Sequence, residues 1–286
     1  MQLRPGAYEI GKRGAVRFDW RDPYHIAVGL SWPRFLATMI GLELALNSGF
    51  ATLYWAMPGA IANARPGSFA DAFFFSLETL ATVGYGVMAP ATIYAHLVAS
   101  AEILTGMMFV ALATGLTFVR FSRPRAKILW PAQAVVARHN GRPTLMVRIA
   151  NGRASLLVDG SARFYALIAE RTEEGEHFRR IHELPLLRAR IPIFALTWTV
   201  MHVLDGASPL AGMDAAALRA RGVRLFLAVT AHDPTLAADV HDIRDFSAEE
   251  IAFGMRYAEA VSVDERGRAI ADLRRVGEVE PEPVAG

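Results

Sequence analysis

The sequence predicts a membrane α-helical module followed by a cytoplasmic all-β domain. Three observations predict it: two apolar stretches long enough to cross a bilayer, a half-length apolar segment between them, and a series of short β-type runs after residue 120. A hydrophobic content of 53% and a mean hydropathy of +0.25 are too high for an ordinary soluble chain of 286 residues.

The bilayer hydrocarbon is roughly 30 Å thick and a helix rises about 1.5 Å per residue, so a span needs about 20 mostly apolar residues. Residues 35–57 and 93–119 qualify, within a membrane module of residues 32–120. Residues 1–31 carry Arg4, Lys12, Arg13 and Arg17 without an apolar core, so they read as a cytoplasmic segment and not as a secretory signal. Lys and Arg flank the two spans (Arg21 and Arg34 before the first, Arg120, Arg123, Arg125 and Lys127 after the second), whereas the connecting loop holds only Arg65. By the positive-inside rule both termini are cytoplasmic. Residues 1–127 hold 11 Lys/Arg against 7 Asp/Glu, and residues 128–286 hold 19 against 21. The basic excess therefore lies beside the membrane, which implies anionic lipid as the electrostatic partner and not nucleic acid. A chain without cysteine offers no disulfide, thiolate metal site or thiol nucleophile.

The loop segment SFADAFFFSLETLA, residues 68–81, is too short to cross a bilayer and opens on a capping-box pattern, Ser68 with Asp71. It reads as a re-entrant half-helix. Non-helical backbone at membrane depth survives only when buried in protein or lining water, so the next residues should be the working part. They are Thr82-Val83-Gly84-Tyr85-Gly86. Rings of backbone carbonyls that replace an ion's water shell need glycine's conformational freedom, here at Gly84 and Gly86, with the Thr82 hydroxyl as a further ligand and Tyr85 bracing from behind. This string implies a K⁺-binding filter with Thr82, Val83, Gly84 and Tyr85 as ligands, and an axial ion needs four such chains, hence a homotetramer. Passive conduction is the leading expectation, and a lipid or ligand sensor with vestigial conduction is the alternative. No nucleotide-binding, hydrolase or paired-acid motif appears, so neither an enzyme nor a cofactor is expected.

After Pro131, apolar runs at 134–137, 144–150, 163–170, 193–203 and 225–231 read as strands, separated by turn signals that include Asn140-Gly141 and Asn151-Gly152. About seven short strands are expected within residues 121–286, followed by a flexible C-terminal tail. The eight histidines form no metal motif, and His202 reads as a packing or hydrogen-bonding residue.

The stretches at 20–35, 64–86, 121–128, 141–151 and 197–210, the last reading TWTVMHVLDGASPL, resemble inward-rectifier potassium channels of the bacterial branch (KirBac). The resemblance implies an amphipathic slide helix around residues 19–30, an immunoglobulin-like β-sandwich and a bacterial inner-membrane location. It places Val110 where strong rectifiers carry an aspartate, implying weak rectification. Thr114 follows on the same cavity-facing stripe, with Phe118 as the hydrophobic gate. Arg120, Arg123, Arg125 and Lys127 become candidate lipid-headgroup residues, and the turn Glu174-Gly175-Glu176 a lining of the cytoplasmic pore.

Three acids need separate accounts. Glu78 lies behind the filter, and the positions where relatives carry its partner are here Val87 and Met88, so the expectation is a bond from its carboxyl to filter N–H groups, or protonation. Glu102 precedes Val110 by two turns and is expected on the same general side, tuning the cavity or pairing with the half-helix. Glu43 is expected to make an interhelical hydrogen bond. Gly106 and Gly115 serve either bending or close helix approach.

Overall fold

The computed structural model describes residues 22–122 and 126–283. The chain divides into two compact units near residue 123.

In the first unit, α1 (Pro23–Gly29) starts where Asp22 accepts a hydrogen bond from the His25 N–H at 2.9 Å, with proline supplying a preset first turn. The slide helix expected over residues 19–30 is thus a single seven-residue segment in its described part, and residues 19–21 lie outside the described residues. Helix α2 (Trp32–Trp55) begins three residues earlier than the apolar run, because Pro33 favours a helix start. A two-stranded ribbon, β1 (Ile61–Ala62) with β2 (Ala89–Pro90), closes the connecting loop around α3 (Phe69–Leu80). Helix α4 (Ile93–Phe121) opens on Thr92, which caps the Ala95 N–H. Helices α2 and α4 are long and apolar enough to cross a membrane. Only 11% and 17% of their most apolar windows are buried in one chain, so most of their apolar surface awaits lipid or further protein.

In the second unit two five-stranded sheets share one core. The first has the order β11 (Ala238–Ser247), β10 (Arg224–Asp233), β6 (Leu157–Arg171), β7 (His177–Leu184), with β8 (Arg190–Phe194) also on β6. The second has β12 (Ile251–Phe253), β4 (Ala134–His139), β5 (Arg142–Asn151), β3 (Ile128–Leu129), with β9 (Thr197–Val203) also on β5. Alternate residues of both sheets, among them Phe164, Ile168, Leu225 and Leu227 from one and Leu145, Ile149 and Val200 from the other, make a single buried cluster. The short helix α5 (Ala215–Ala220) adds Leu218 to that cluster.

The described residues of this unit hold fourteen strands where about seven were expected. The missed ones carry no apolar run: β7 is HFRRIHEL and mostly exposed, and β11 buries only Val240, Asp245 and Phe246 of a charged stretch. The run 193–203 is not one strand. It splits at residues 195–196 into β8 and β9, which lie in different sheets. Asn140 and Gly141, at φ 51° and 75°, form the tight turn that joins β4 to β5. Asn151-Gly152 is not a hairpin. Asn151 ends β5 and donates to the Ser155 and Phe194 carbonyls at 2.8 and 3.0 Å, while a Cβ on Gly152 would stand 2.7 Å from the Lys127 oxygen.

The expected flexible tail is also corrected. Strands β13 (Met255–Tyr257), β14 (Val261–Val263), β15 (Ala269–Ala271) and β16 (Val279–Pro281) belong to an ordered segment, whose Met255, Tyr257 and Val279 cover Val135, Ala137 and Met146 on the outer face of the second sheet. That is why β5 is buried on both faces over its last eight residues. Arg148 ties the segment down, donating to the carbonyls of Ala258, Arg275 and Val276.

His202 lies inside the sandwich edge, its Nδ1 2.7 Å from the Pro185 carbonyl and its Nε2 2.8 Å from Ser208 Oγ. A neutral ring that donates from Nδ1 and accepts at Nε2 fits both partners. Burial holds its protonation below the ordinary value of 6.5, with the Pro185 carbonyl acting in the opposite sense. The folded state therefore binds fewer protons than the unfolded one, and stability is lost as pH falls below the ordinary imidazole value. The melting temperature of the full-length protein is expected to fall between about pH 7.5 and 5.5 as the buried ring is driven to protonate. The His202→Gln variant should show a flatter profile over the same interval, and an identical profile would remove His202 as the cause.

Candidate functional site

Helix α3 positions the site. Its N-terminus is capped by Ser68 Oγ, which accepts from the Asp71 N–H at 3.2 Å. The capping box is only half formed, because the Asp71 carboxylate turns instead to Arg65, accepting from its backbone N–H at 2.8 Å and from its guanidinium at 2.6 Å. The loop before α3 is further fixed by Trp55, whose ring N–H donates to the Gly67 carbonyl at 3.0 Å.

At its other end α3 unwinds into residues 82–86. The Glu78 carbonyl accepts from both Val83 and Gly84 N–H groups, at 2.8 and 3.3 Å, and the Thr79 carbonyl from Thr82 at 3.0 Å. Backbone φ is +56° at Thr82, +55° at Gly84 and +84° at Gly86, but not positive at Val83 or Tyr85. Handedness thus alternates along the pentapeptide. Sequence reasoning assigned the unusual backbone to the glycines alone and missed Thr82, a β-branched residue where a positive φ is an outlier. Such a conformation costs on the order of 1–3 kcal/mol and persists where its surroundings over-determine it. The five residues are exposed in a single chain, Val83 at 52% and Tyr85 at 74%. The expected brace by the Tyr85 ring is therefore not made within the chain.

The Glu78 carboxyl makes no hydrogen bond to filter N–H groups among the described residues; its own backbone carbonyl occupies those donors. Glu43 is half-buried and likewise has no hydrogen-bond partner among the described residues.

Glu102 is fully buried, whereas Val110 is 57% exposed. The expectation of a shared side is corrected, since eight residues at 100° each leave the two about 80° apart on the helix. Glu102 faces α3 and α2 instead: Ser76 Oγ contacts its Oε1, and the Tyr54 hydroxyl donates to its Oε2 at 2.7 Å. Tyr54, Ser76 and the buried Asn47 beside them were not identified from the sequence; an acid within a span was the only signal that partners must exist. One turn on, Gly106 meets the end of α3 so closely that a Cβ there would stand 2.1 Å from the Leu80 carbonyl oxygen, while a Cβ on Gly115 would meet nothing within 4 Å. Of the two roles open to these glycines, Gly106 serves close approach. Val110, Thr114 and Phe118 are all exposed and follow one another every fourth residue, so they share one stripe of α4.

Arg120 does not present its guanidinium freely to a headgroup. It donates to the carbonyls of Ala27, Val28 and Leu30 at 2.6, 3.2 and 2.8 Å and stacks over the rings of Trp32 and Phe35. It thereby ties the end of α1 to the last turn of α4. Lys127 is exposed, and Arg123 and Arg125 lie outside the described residues. The turn Glu174-Gly175-Glu176 closes the β6–β7 hairpin, with the Thr172 N–H donating to the Glu176 carbonyl at 2.9 Å.

Comparison with known proteins agrees across both units. Residues 128–284 match the family described as the inward rectifier potassium channel C-terminal domain, and residues 42–123 match the ion channel family. The inward rectifier potassium channel Kirbac3.1 of Paramagnetospirillum magnetotacticum is 38% identical over 275 residues, covering 96% of this chain and 93% of that protein. The human ATP-sensitive inward rectifier potassium channel 10 is 30% identical over 71% of this chain and 55% of its own length. The human ATP-sensitive inward rectifier potassium channel 15 is 25% identical over 92% and 76%. These relatives are channels and not enzymes.

The α3–α4 contact yields a direct test. Gly106→Ala is expected to destabilise the protein by about 1–3 kcal/mol, the usual cost of overpacking a close contact. Gly115→Ala is expected to stay within about 0.5 kcal/mol. Thermal unfolding of the two variants in detergent measures both, and equal melting would remove the close-approach role.

Proposed function

The chain belongs to the inward rectifier potassium channel family, and from that premise we propose that it passes potassium ions down their gradient through a pore built by four copies. The filter is Thr82, Val83, Gly84, Tyr85 and Gly86. One observation carries this reading: the alternation of handedness at Thr82, Gly84 and Gly86 directly after the C-terminal end of α3. A backbone that alternates between the right- and left-handed regions turns successive carbonyls toward one side, as it turns successive N–H groups inward in an anion-binding nest. A column of carbonyls facing one axis is what a dehydrated K⁺ needs. The negative end of the α3 dipole adds to the attraction. Four chains are needed to surround an ion, and exposure of Val83 and Tyr85 supports a neighbouring copy as the missing brace.

Val110, Thr114 and Phe118 supply the cavity and gate stripe of α4. Val110 offers no charge to attract a cationic blocker, which favours weak rectification. Lys127, with Arg123 and Arg125, is the candidate contact for anionic lipid; Arg120 acts by holding α1. With basic residues beside the inner ends of both spans, the chain sits in the bacterial inner membrane with its termini in the cytoplasm.

Rubidium uptake into liposomes that hold a potassium gradient tests conduction. Uptake should be blocked by barium and should exceed sodium uptake. Gly84→Ala should abolish it, because a Cβ at φ +55° is strained by about 1–2 kcal/mol in each of four chains. Absence of uptake across lipids and pH would instead favour a sensor without conduction. Phe118→Ala should raise the uptake rate by widening the gate, and an unchanged or lower rate would take Phe118 out of that role.

A further inference from the structure

We propose that Glu102 is a neutral carboxylic acid that donates its proton to Ser76, and that this bond pins the filter-bearing helix α3 to both long helices. The side chains concerned are closed off within a single chain: Asn47, Ser76 and Glu102 are 0% exposed and Tyr54 is 1% exposed. A neighbouring copy has no access to them, so their partners are those of the chain itself.

The proton count decides the arrangement. The Tyr54 hydroxyl has one proton and gives it to Glu102 Oε2 at 2.7 Å. Ser76 Oγ also has one proton but two oxygen neighbours, Glu102 Oε1 and the Asn47 backbone carbonyl at 3.0 Å. A carbonyl has no proton to offer. If Glu102 were ionised, the Ser76 proton would go to it, and the Ser76 and Asn47 oxygens would face each other with nothing between them. If Glu102 carries the proton, every contact is filled in sequence: Tyr54 to Glu102, Glu102 to Ser76, Ser76 to Asn47. Among the described residues no Lys, Arg or His pairs with Glu102, so an ionised form would also be a buried charge without a counter-ion.

The position of the chain of bonds explains its use. Glu102 and Gly106 stand on one face of α4, with the buried Ala99 and Ala95 one and two turns before Glu102. The glycine lets the Leu80 carbonyl close on α4, and the acid fixes Ser76, four residues before Leu80 and six before Thr82. Two points on α3, one turn apart, are thereby held against α4, while Asn47 and Tyr54 hold the same helix against α2. Rotation or sliding of α3 would move the Glu78 and Thr79 carbonyls that anchor the first filter N–H groups. Glu102 touches no ion, so it is a positioning residue.

Two measurements on the full-length protein test this. In the infrared difference spectrum between the unsubstituted protein and Glu102→Gln, the band lost should be that of a protonated carboxyl; loss of a carboxylate band overturns the proposal, whether or not the protein conducts. The second rests on the channel reading and follows rubidium against sodium uptake. Glu102→Gln keeps a donor and an acceptor and should retain the original selectivity ratio. Glu102→Leu and Ser76→Ala break the chain of bonds and should lower the ratio about tenfold, the scale of one lost buried hydrogen bond. Should the leucine variant fail to assemble, Ser76→Ala supplies the comparison. A glutamine variant as unselective as the leucine or alanine variants overturns the proposal, and so does an original ratio in Ser76→Ala. Absence of uptake in the unsubstituted protein would fail the channel reading alone, since the infrared result stands apart from it.

Discussion

The structure of the pore unit depends on holding a twelve-residue helix still at membrane depth. Helix α3 is too short to be stable by its own hydrogen bonds, since isolated helices below about 12–15 residues are marginal even in favourable sequences. Aromatic packing supplies part of the support, with the Tyr54 and Phe75 rings 4.9 Å apart in an edge arrangement. Packing alone permits sliding along an apolar surface. Directional bonds do not, and the buried set formed by Asn47, Tyr54, Ser76 and Glu102 supplies them where a broken bond has no water to replace it. The Ser68 cap and the Arg65–Asp71 contact fix the outer end. The inner end is then free to do only one thing, which is to pass its last carbonyls to the N–H groups of residues 82–84.

The same device recurs at two other places, with arginine in place of a carboxyl. Arg120 gathers three carbonyls from the elbow between α1 and α2, and Arg148 gathers three from the segment that follows β12. In both, an aromatic ring lies beside the guanidinium, Trp32 and Phe35 in one and Tyr257 in the other. A guanidinium has five donors in a rigid plane and remains charged when buried, so it can satisfy several backbone carbonyls that a turn leaves unpaired. The consequence for α4 is mechanical. Its last turn cannot move without the end of α1, so a displacement of either helix end is passed to the other.

What could be read in the sequence was chemistry imposed by the backbone or by long apolar runs. The string at residues 82–86 was legible because two of its members are glycines at a place where no ordinary loop belongs. Strands such as β5 and β10 were legible because they bury alternate or continuous apolar residues. Strands β7 and β11 were hidden, because an exposed, charged strand looks like a loop until its partners are known. The left-handed Thr82 was hidden for the opposite reason: threonine ordinarily avoids that region, and only the fold compels it. Glu102 was legible as an acid that needed a partner, but its direction hinged on an 80° difference over two turns that spacing alone did not resolve. Arg120 stood where a basic residue beside a membrane end has an obvious electrostatic reading. Its actual partners, Ala27 to Leu30, lie some ninety positions away, and no local pattern points to them.

Exposure in the single chain carries the last step. A protein that invests buried polar bonds in fixing one short helix leaves the residues that helix serves, Val83, Tyr85 and Val87, at 52%, 74% and 69% exposed. A stretch with three positive φ values and no side-chain packing of its own would not keep that shape alone, because strained backbone needs surroundings that over-determine it. One side of those surroundings is α3, already rigid. The other must be a surface that is itself fixed and that meets all of residues 82–87 at once, which excludes lipid chains and water. The proposed ring of copies meets both conditions, because each copy would offer its neighbour the same rigid α3 and would have the same need itself.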